Sequence, residues 1–230
     1  MTRLTSLGKV LLALGSLLCL AMPVTTQAQS AYRVEVLMFT HTDEANAFGE
    51  RWRTDTDPPR NNGAISLPHG KTVLGFTRQS SDALELKAER QKLEGSPDHR
   101  VLYHAAWVQP GLGKSKAKAV RIVGGTDFSV VYPERMKASW RYDAYGETIE
   151  VPAPSILYEI DGNVKVVLGR FLHVYTDLTY RQPTRQSGGQ DSGAELQDFR
   201  VQTHRRMRSN ELHYLDHPLL GILVQIKPVS

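Results

Sequence analysis

His213 and His217 stand four residues apart, the spacing at which two imidazoles on one helical turn can share a metal ion. Pro218 follows directly, and a proline disfavours helix in the residue before it. His204 is near in sequence, yet no Glu completes an H-E-x-x-H pattern. These histidines are therefore expected to serve structure and hydrogen bonding, with no metal centre. His99, His104 and His173 are scattered and carry no motif.

Nucleophilic chemistry has little support. The single Cys is Cys19, and no Ser lies in a G-x-S-x-G elbow. Gly124-Gly125-Thr126-Asp127 reads as a turn unlike a phosphate-binding loop, and the carboxylates form no glycosidase signature. The chain is read as a non-enzyme that needs no cofactor.

Binding chemistry is better represented. Lys114, Lys116, Lys118 and Arg121 form one basic cluster, and Arg200, Arg205, Arg206 and Arg208 form another. Such clusters suit an anionic polymer or partner, or simply a solvated face. An aromatic ring offers a flat apolar surface to the C–H face of a sugar. Trp107 lies in an apolar run and is expected in the core. Trp52 and Trp140 lie among charged and polar neighbours and are candidate ligand contacts. Arg205, Arg206 and Arg208 join them as candidates.

Composition narrows the setting. The chain has 230 residues, 40% hydrophobic and 23% charged, with a net charge of +4. That balance is not disordered, and a mean hydropathy of −0.35 excludes a multi-span membrane protein. One Cys excludes a disulfide framework and Cys-ligated metal clusters. Arg3 and Lys9 precede a 13-residue apolar run, 10–22, and Pro23; Thr26 and Ala28 then supply small residues at −3 and −1. This is the layout of a secretory signal peptide cleaved after Ala28. Bulky Leu18 before Cys19 argues against a lipoprotein signal. Removing 28 of 230 residues leaves 202, and losing Arg3 and Lys9 lowers the charge from +4 to +2. The mature chain is then free of Cys, which suits a Gram-negative periplasm. The pI near 9.2 is partly the leader's, so nucleic acid is not an expected partner.

The elements that must position these residues are mostly strands. Alternation in 32–39 places Tyr32, Val34, Val36 and Met38 on one face, with Arg33 and Glu35 opposite. Residues 82–94 are the clearest helix, with Asp82 as N-cap, Glu85 as its N3 acid and Gly95 at the end. Strands are expected at 101–108, 199–207 and 219–226, with short ones at 120–123 and 128–132. Asp161-Gly162-Asn163 signals a hairpin turn, followed by a long alternating run to residue 181. Residues 208–211 read as a turn. Loops near 40–71, 111–118 and 183–198 are expected to be mobile. The sum is an α+β domain at 29–230, a mostly antiparallel β-sheet with one firm helix. Pairing of 32–39 with 219–226 at the sheet centre would tie both ends together.

Those two ends carry a resemblance. YRVEVLMF at 32–39 resembles the Y-x-V-E-V-φ-φ-F opening of the CsiV family of peptidoglycan-binding proteins, φ being apolar. ELHYLDHPLLGILVQI at 211–226 is similar to that family's closing ELHYLDHPLFGVLVxI, with Leu220 in place of Phe. The resemblance implies a non-catalytic periplasmic protein that binds peptidoglycan. It also implies support of wall synthesis by a bifunctional, class A penicillin-binding protein and its outer-membrane lipoprotein activator. It transfers no ligand-contact residue. Asp216 and His217 are expected to form a hydrogen-bonded corner before Pro218, and His217 is kept as a ligand candidate. The competing reading is a periplasmic protein-interaction module without direct wall contact.

Overall fold

The computed structural model describes residues 30–41, 57–142, 145–184 and 194–229. The leader expected at 1–28 and the ligand candidate Trp52 lie outside the described residues. Among the described residues, twelve strands and one α-helix follow in chain order. They are β1 (Ala31–His41), β2 (Thr72–Val73), β3 (Phe76–Arg78), α1 (Lys87–Glu94), β4 (His99–Pro110), β5 (Ala119–Asp127) and β6 (Ser139–Tyr142). Then come β7 (Thr148–Val151), β8 (Tyr158–Leu168), β9 (Leu172–Thr184), β10 (Glu195–Met207), β11 (Leu212–Leu215) and β12 (Leu220–Val229). The fold is α+β and mostly antiparallel, as the sequence predicts.

One sheet has the order β11-β12-β1-β4-β3-β2, the second β10-β9-β8-β5, and β6 and β7 form a separate hairpin. β1 pairs antiparallel with β12, Val34 opposite Ile226 and Met38 opposite Ile222. The first and last strands of the described residues therefore lie side by side inside the larger sheet, the pairing expected of 32–39 with 219–226. Val34, Val36 and Met38 meet Ile160, Val164, Val174 and Leu178 of the second sheet in one buried cluster. Burial of these apolar faces, at about 25 cal/mol per Å² removed from water, holds the sheets together.

The second face of β1 is buried as well. Glu35, Leu37 and Phe39 are each at most 4% exposed. The reason is the segment leading into α1, which covers Glu35. Its carboxylate accepts N–H groups from Glu85 (3.0 Å) and Leu86 (2.9 Å), the Arg33 guanidinium (2.6 Å) and His104 Nε2 (2.8 Å). An ionised carboxylate only accepts, so His104 donates through Nε2. Burial alone would raise this carboxyl. The hydrogen bonds from His104, Leu86, Glu85 and Arg33 outweigh it and hold the pKa at about 2.

This carboxylate corrects the helix expected at 82–94. Residues Ser81–Ala83 form a 3-10 turn, and α1 begins only at Lys87 with Leu86 as its N-cap. The local Asp82/Glu85 capping box does not form. Glu35, 51 positions away from Leu86, occupies the helix N-terminus instead, where free N–H groups and the helix dipole favour an anion. The Glu85 side chain turns outward to ion-pair with Lys227.

Asp161-Gly162-Asn163 is also corrected, because β8 runs straight through it. A Cβ on Gly162 would stand 2.2 Å from the Asp177 carbonyl oxygen and 2.6 Å from Leu178 Cα. This glycine admits a close neighbouring strand and makes no turn. The hairpin turn lies between β8 and β9, with Leu168 opposite Leu172. Paired residues share a face, so the even-numbered alternation passes through the turn unbroken and the sequence reads it as one strand. The 128–132 strand is corrected too: Tyr132 N–H bonds the Phe128 carbonyl at 2.9 Å, which is a turn. Both rings pack in a small cluster with Leu157 and Leu196. Gly124–Asp127, read as a turn, belongs to β5 and contains its register shift.

Candidate functional site

The outward face of β8, β9 and β10 brings His173 and His204 together with Arg200 and Arg206. Alternation turns Leu172, Val174, Thr176 and Leu178 inward, so His173, Tyr175, Asp177 and Thr179 point away from the core. Register then builds rows across the sheet. Val167, His173 and Arg206 form one; Lys165, Tyr175 and His204 the next; Asn163, Asp177 and Gln202 the third. Residues directly opposite on neighbouring strands touch.

The first two rows form a ring cluster. Tyr175 lies face to face with His204, centroids 4.3 Å apart and planes 11° apart. His173 Nδ1 and His204 Nε2 are 3.0 Å apart. Their ring centroids are 5.3 Å apart at an interplanar angle of 12°, so these imidazoles lie edge to edge in nearly one plane. One donates and the other accepts. Arg206 and Arg170 hold their guanidinium carbons 4.7 and 5.8 Å from the Phe171 ring centroid, a cation–π arrangement. Phe171, His204 and Arg206 are exposed, and His173 and Tyr175 half-buried.

The third row is different. Arg200 Nε donates to Asp177 at 2.6 Å, and the Arg60 N–H reaches the same carboxylate at 3.3 Å. Asn163 donates to the Arg60 carbonyl (3.2 Å) and to Asn61 (3.0 Å). Arg121 pairs with Asp161. Residues 60–61 thus cover this part of the sheet, and its charges are neutralised internally.

The expected site residues separate accordingly. Arg206 joins the ring cluster. Arg205 is exposed on the opposite face of β10, because neighbours on a strand point opposite ways. Arg208, past the end of β10, stands 3.8 Å from Glu211. Arg200 and Arg121, members of the two basic clusters, are tied to Asp177 and Asp161. Trp140 is 68% exposed on the β6–β7 hairpin with Tyr142 and Tyr145, remote in topology from the arginines.

His217 belongs to the corner before β12. Its Nδ1 accepts the Leu219 N–H at 3.3 Å and its carbonyl accepts the Leu220 N–H at 3.0 Å. Asp216 accepts the Tyr214 hydroxyl at 2.7 Å. Phe39 of β1 lies over Gly221, where a Cβ would come within 2.3 Å of its ring. Phe39 and Tyr214 are nearly parallel, centroids 6.2 Å apart. His41 is lowered from its ordinary pKa by burial first and then by neighbouring His99. His213 lies on β11 and not on a helix, and among the described residues no group of three or more His, Cys, Asp or Glu is placed to hold a metal.

Sequence reasoning missed His173, Tyr175, His204 and Phe171. The available signal was the period-two alternation of 172–181 and 199–207, which places His173, Tyr175 and His204 outward. Only the pairing register brings them together.

The family comparison matches residues 9–229 to the family described as "Peptidoglycan-binding protein, CsiV". No match was found among curated proteins or solved structures.

Proposed function

The chain belongs to the CsiV family, and on that premise we propose that it is a non-catalytic periplasmic accessory protein that binds peptidoglycan through the outward face of β8–β10. The observation that supports this face is the ring cluster of His173, Tyr175 and His204 beside Arg206. Flat rings suit sugar C–H faces, and guanidinium groups suit the carboxylates of the peptide stems. The bound protein then supports wall synthesis by a class A penicillin-binding protein and its outer-membrane lipoprotein activator. Sedimentation with purified sacculi is the test. The protein is expected in the pellet, without release of soluble muropeptides. Protein left in the supernatant beside a control binder that pellets would overturn the reading.

A second reading, a protein-interaction module, is favoured by one observation. The β6–β7 hairpin pairs with neither larger sheet and exposes Trp140 and Tyr142 on one face. Exposed aromatic residues are typical anchors of protein interfaces. Both readings hold together if sacculi and partner use different surfaces.

A further inference from the structure

The His173–His204 pair is a built object and not two adjacent side chains. The N–H···N bond locks the rings into one plane. Tyr175 backs His204 at 4.3 Å. The result is a rigid plate wider than one ring, which needs little ordering on binding and so loses little entropy. Its face matches the flat apolar side of a pyranose ring.

The charge around the plate is one-sided. The two rows that carry it hold Lys165 and Arg206 and no acid. Arg170 sits in the adjoining turn, also against Phe171. The carboxylate of the adjoining row, Asp177, is occupied by Arg200 at 2.5 Å. Phe171 holds the Arg206 guanidinium by its carbon face, which leaves the planar N–H edge for a carboxylate. Stacking surface and cation therefore adjoin on one exposed stretch of sheet.

We infer that this plate with Arg206 is a subsite for a carboxylate-bearing amino sugar, the muramyl peptide unit of peptidoglycan: the sugar ring lies on the His173–His204 plate and a stem-peptide carboxylate meets Arg206. The inference rests on the peptidoglycan-binding reading and names the element recognised. A neutral amino-sugar oligomer would use the plate alone and bind more weakly.

Titration calorimetry of the purified protein with muramyl dipeptide and with chitotetraose tests it. Muramyl dipeptide is expected to bind, and Arg206→Ala to weaken it by about tenfold, the order expected for one charge-assisted pair. Chitotetraose binding is expected to be weaker and indifferent to Arg206→Ala. His173→Ala and His204→Ala are expected to weaken both probes, with thermal melts little changed because neither side chain points into the core between the sheets. His204→Gln, which keeps a polar planar group, guards against loss of fold. If wild-type protein pellets with sacculi but the His173 and His204 variants bind muramyl dipeptide as wild type does, the plate is not the subsite and peptidoglycan binding stands. Equal affinity for both probes, indifferent to Arg206→Ala, overturns the carboxylate assignment. Failure of wild-type protein to bind sacculi overturns the underlying reading itself.

Discussion

Glu35 and His104 are hydrogen-bonded at 2.8 Å with both side chains at most 1% exposed. The same carboxylate receives the N–H groups that open α1. One buried anion therefore links β1, β4 and the only α-helix among the described residues.

Acid should unlock this link. The Glu35 pKa lies at about 2 in the fold, against an ordinary value near 4.5. A depressed carboxyl contributes stability above its ordinary pKa and loses it as pH falls through the folded value. A loss of about 3 kcal/mol is expected between pH 4.5 and pH 2, at about 1.4 kcal/mol per unit. Urea unfolding at pH 6 and at successive acid steps measures it.

Glu35→Gln should cost about 3 kcal/mol at neutral pH, since it leaves the Arg33 cation buried without its full partner. The variant should also flatten the acid limb, because the titrating group is gone. A variant with the wild-type acid slope would assign that slope to another carboxylate.

Gly162→Ala should destabilise by about 1–3 kcal/mol or more, because the added methyl meets β9 backbone and not a yielding side chain. A turn glycine would behave differently, and an unchanged urea midpoint would contradict the close approach of β8 and β9.

Charge reversal at Arg205 and Arg206 separates the two faces of β10. Arg206→Glu should weaken sacculus sedimentation, and added salt should shrink the difference. Arg205→Glu should leave it near wild type. Equal losses from both would favour a diffuse electrostatic attraction.

Trp140→Ala with Tyr142→Ala should shift stability by no more than about 0.5 kcal/mol, because both side chains are mostly exposed. Sacculus sedimentation should persist, while capture of the synthase partner by pull-down should fall. Lost sedimentation would move the wall contact to the hairpin.

Period-two alternation in 32–39 and 164–181 made those strands legible, and 199–207 was legible as a strand without its faces. The near-continuous apolar run of 219–226 marked the terminal strand, and the two end segments pointed to the family. These signals are local, because a side chain's face on a strand follows from position alone. The tertiary structure decided what local rules cannot reach. Helix α1 starts where Glu35 bonds it and not where Asp82 predicts, because a buried carboxylate outcompetes an exposed cap. Gly162 lies within a strand because a distant backbone packs against it. Of the arginines grouped in sequence, register left Arg206 on the ring cluster, paired Arg200 with Asp177, and put Arg205 on the other face. His173 and His204, 31 positions apart, form one plate only because β9 and β10 align them, and a linear pattern carries no record of that alignment.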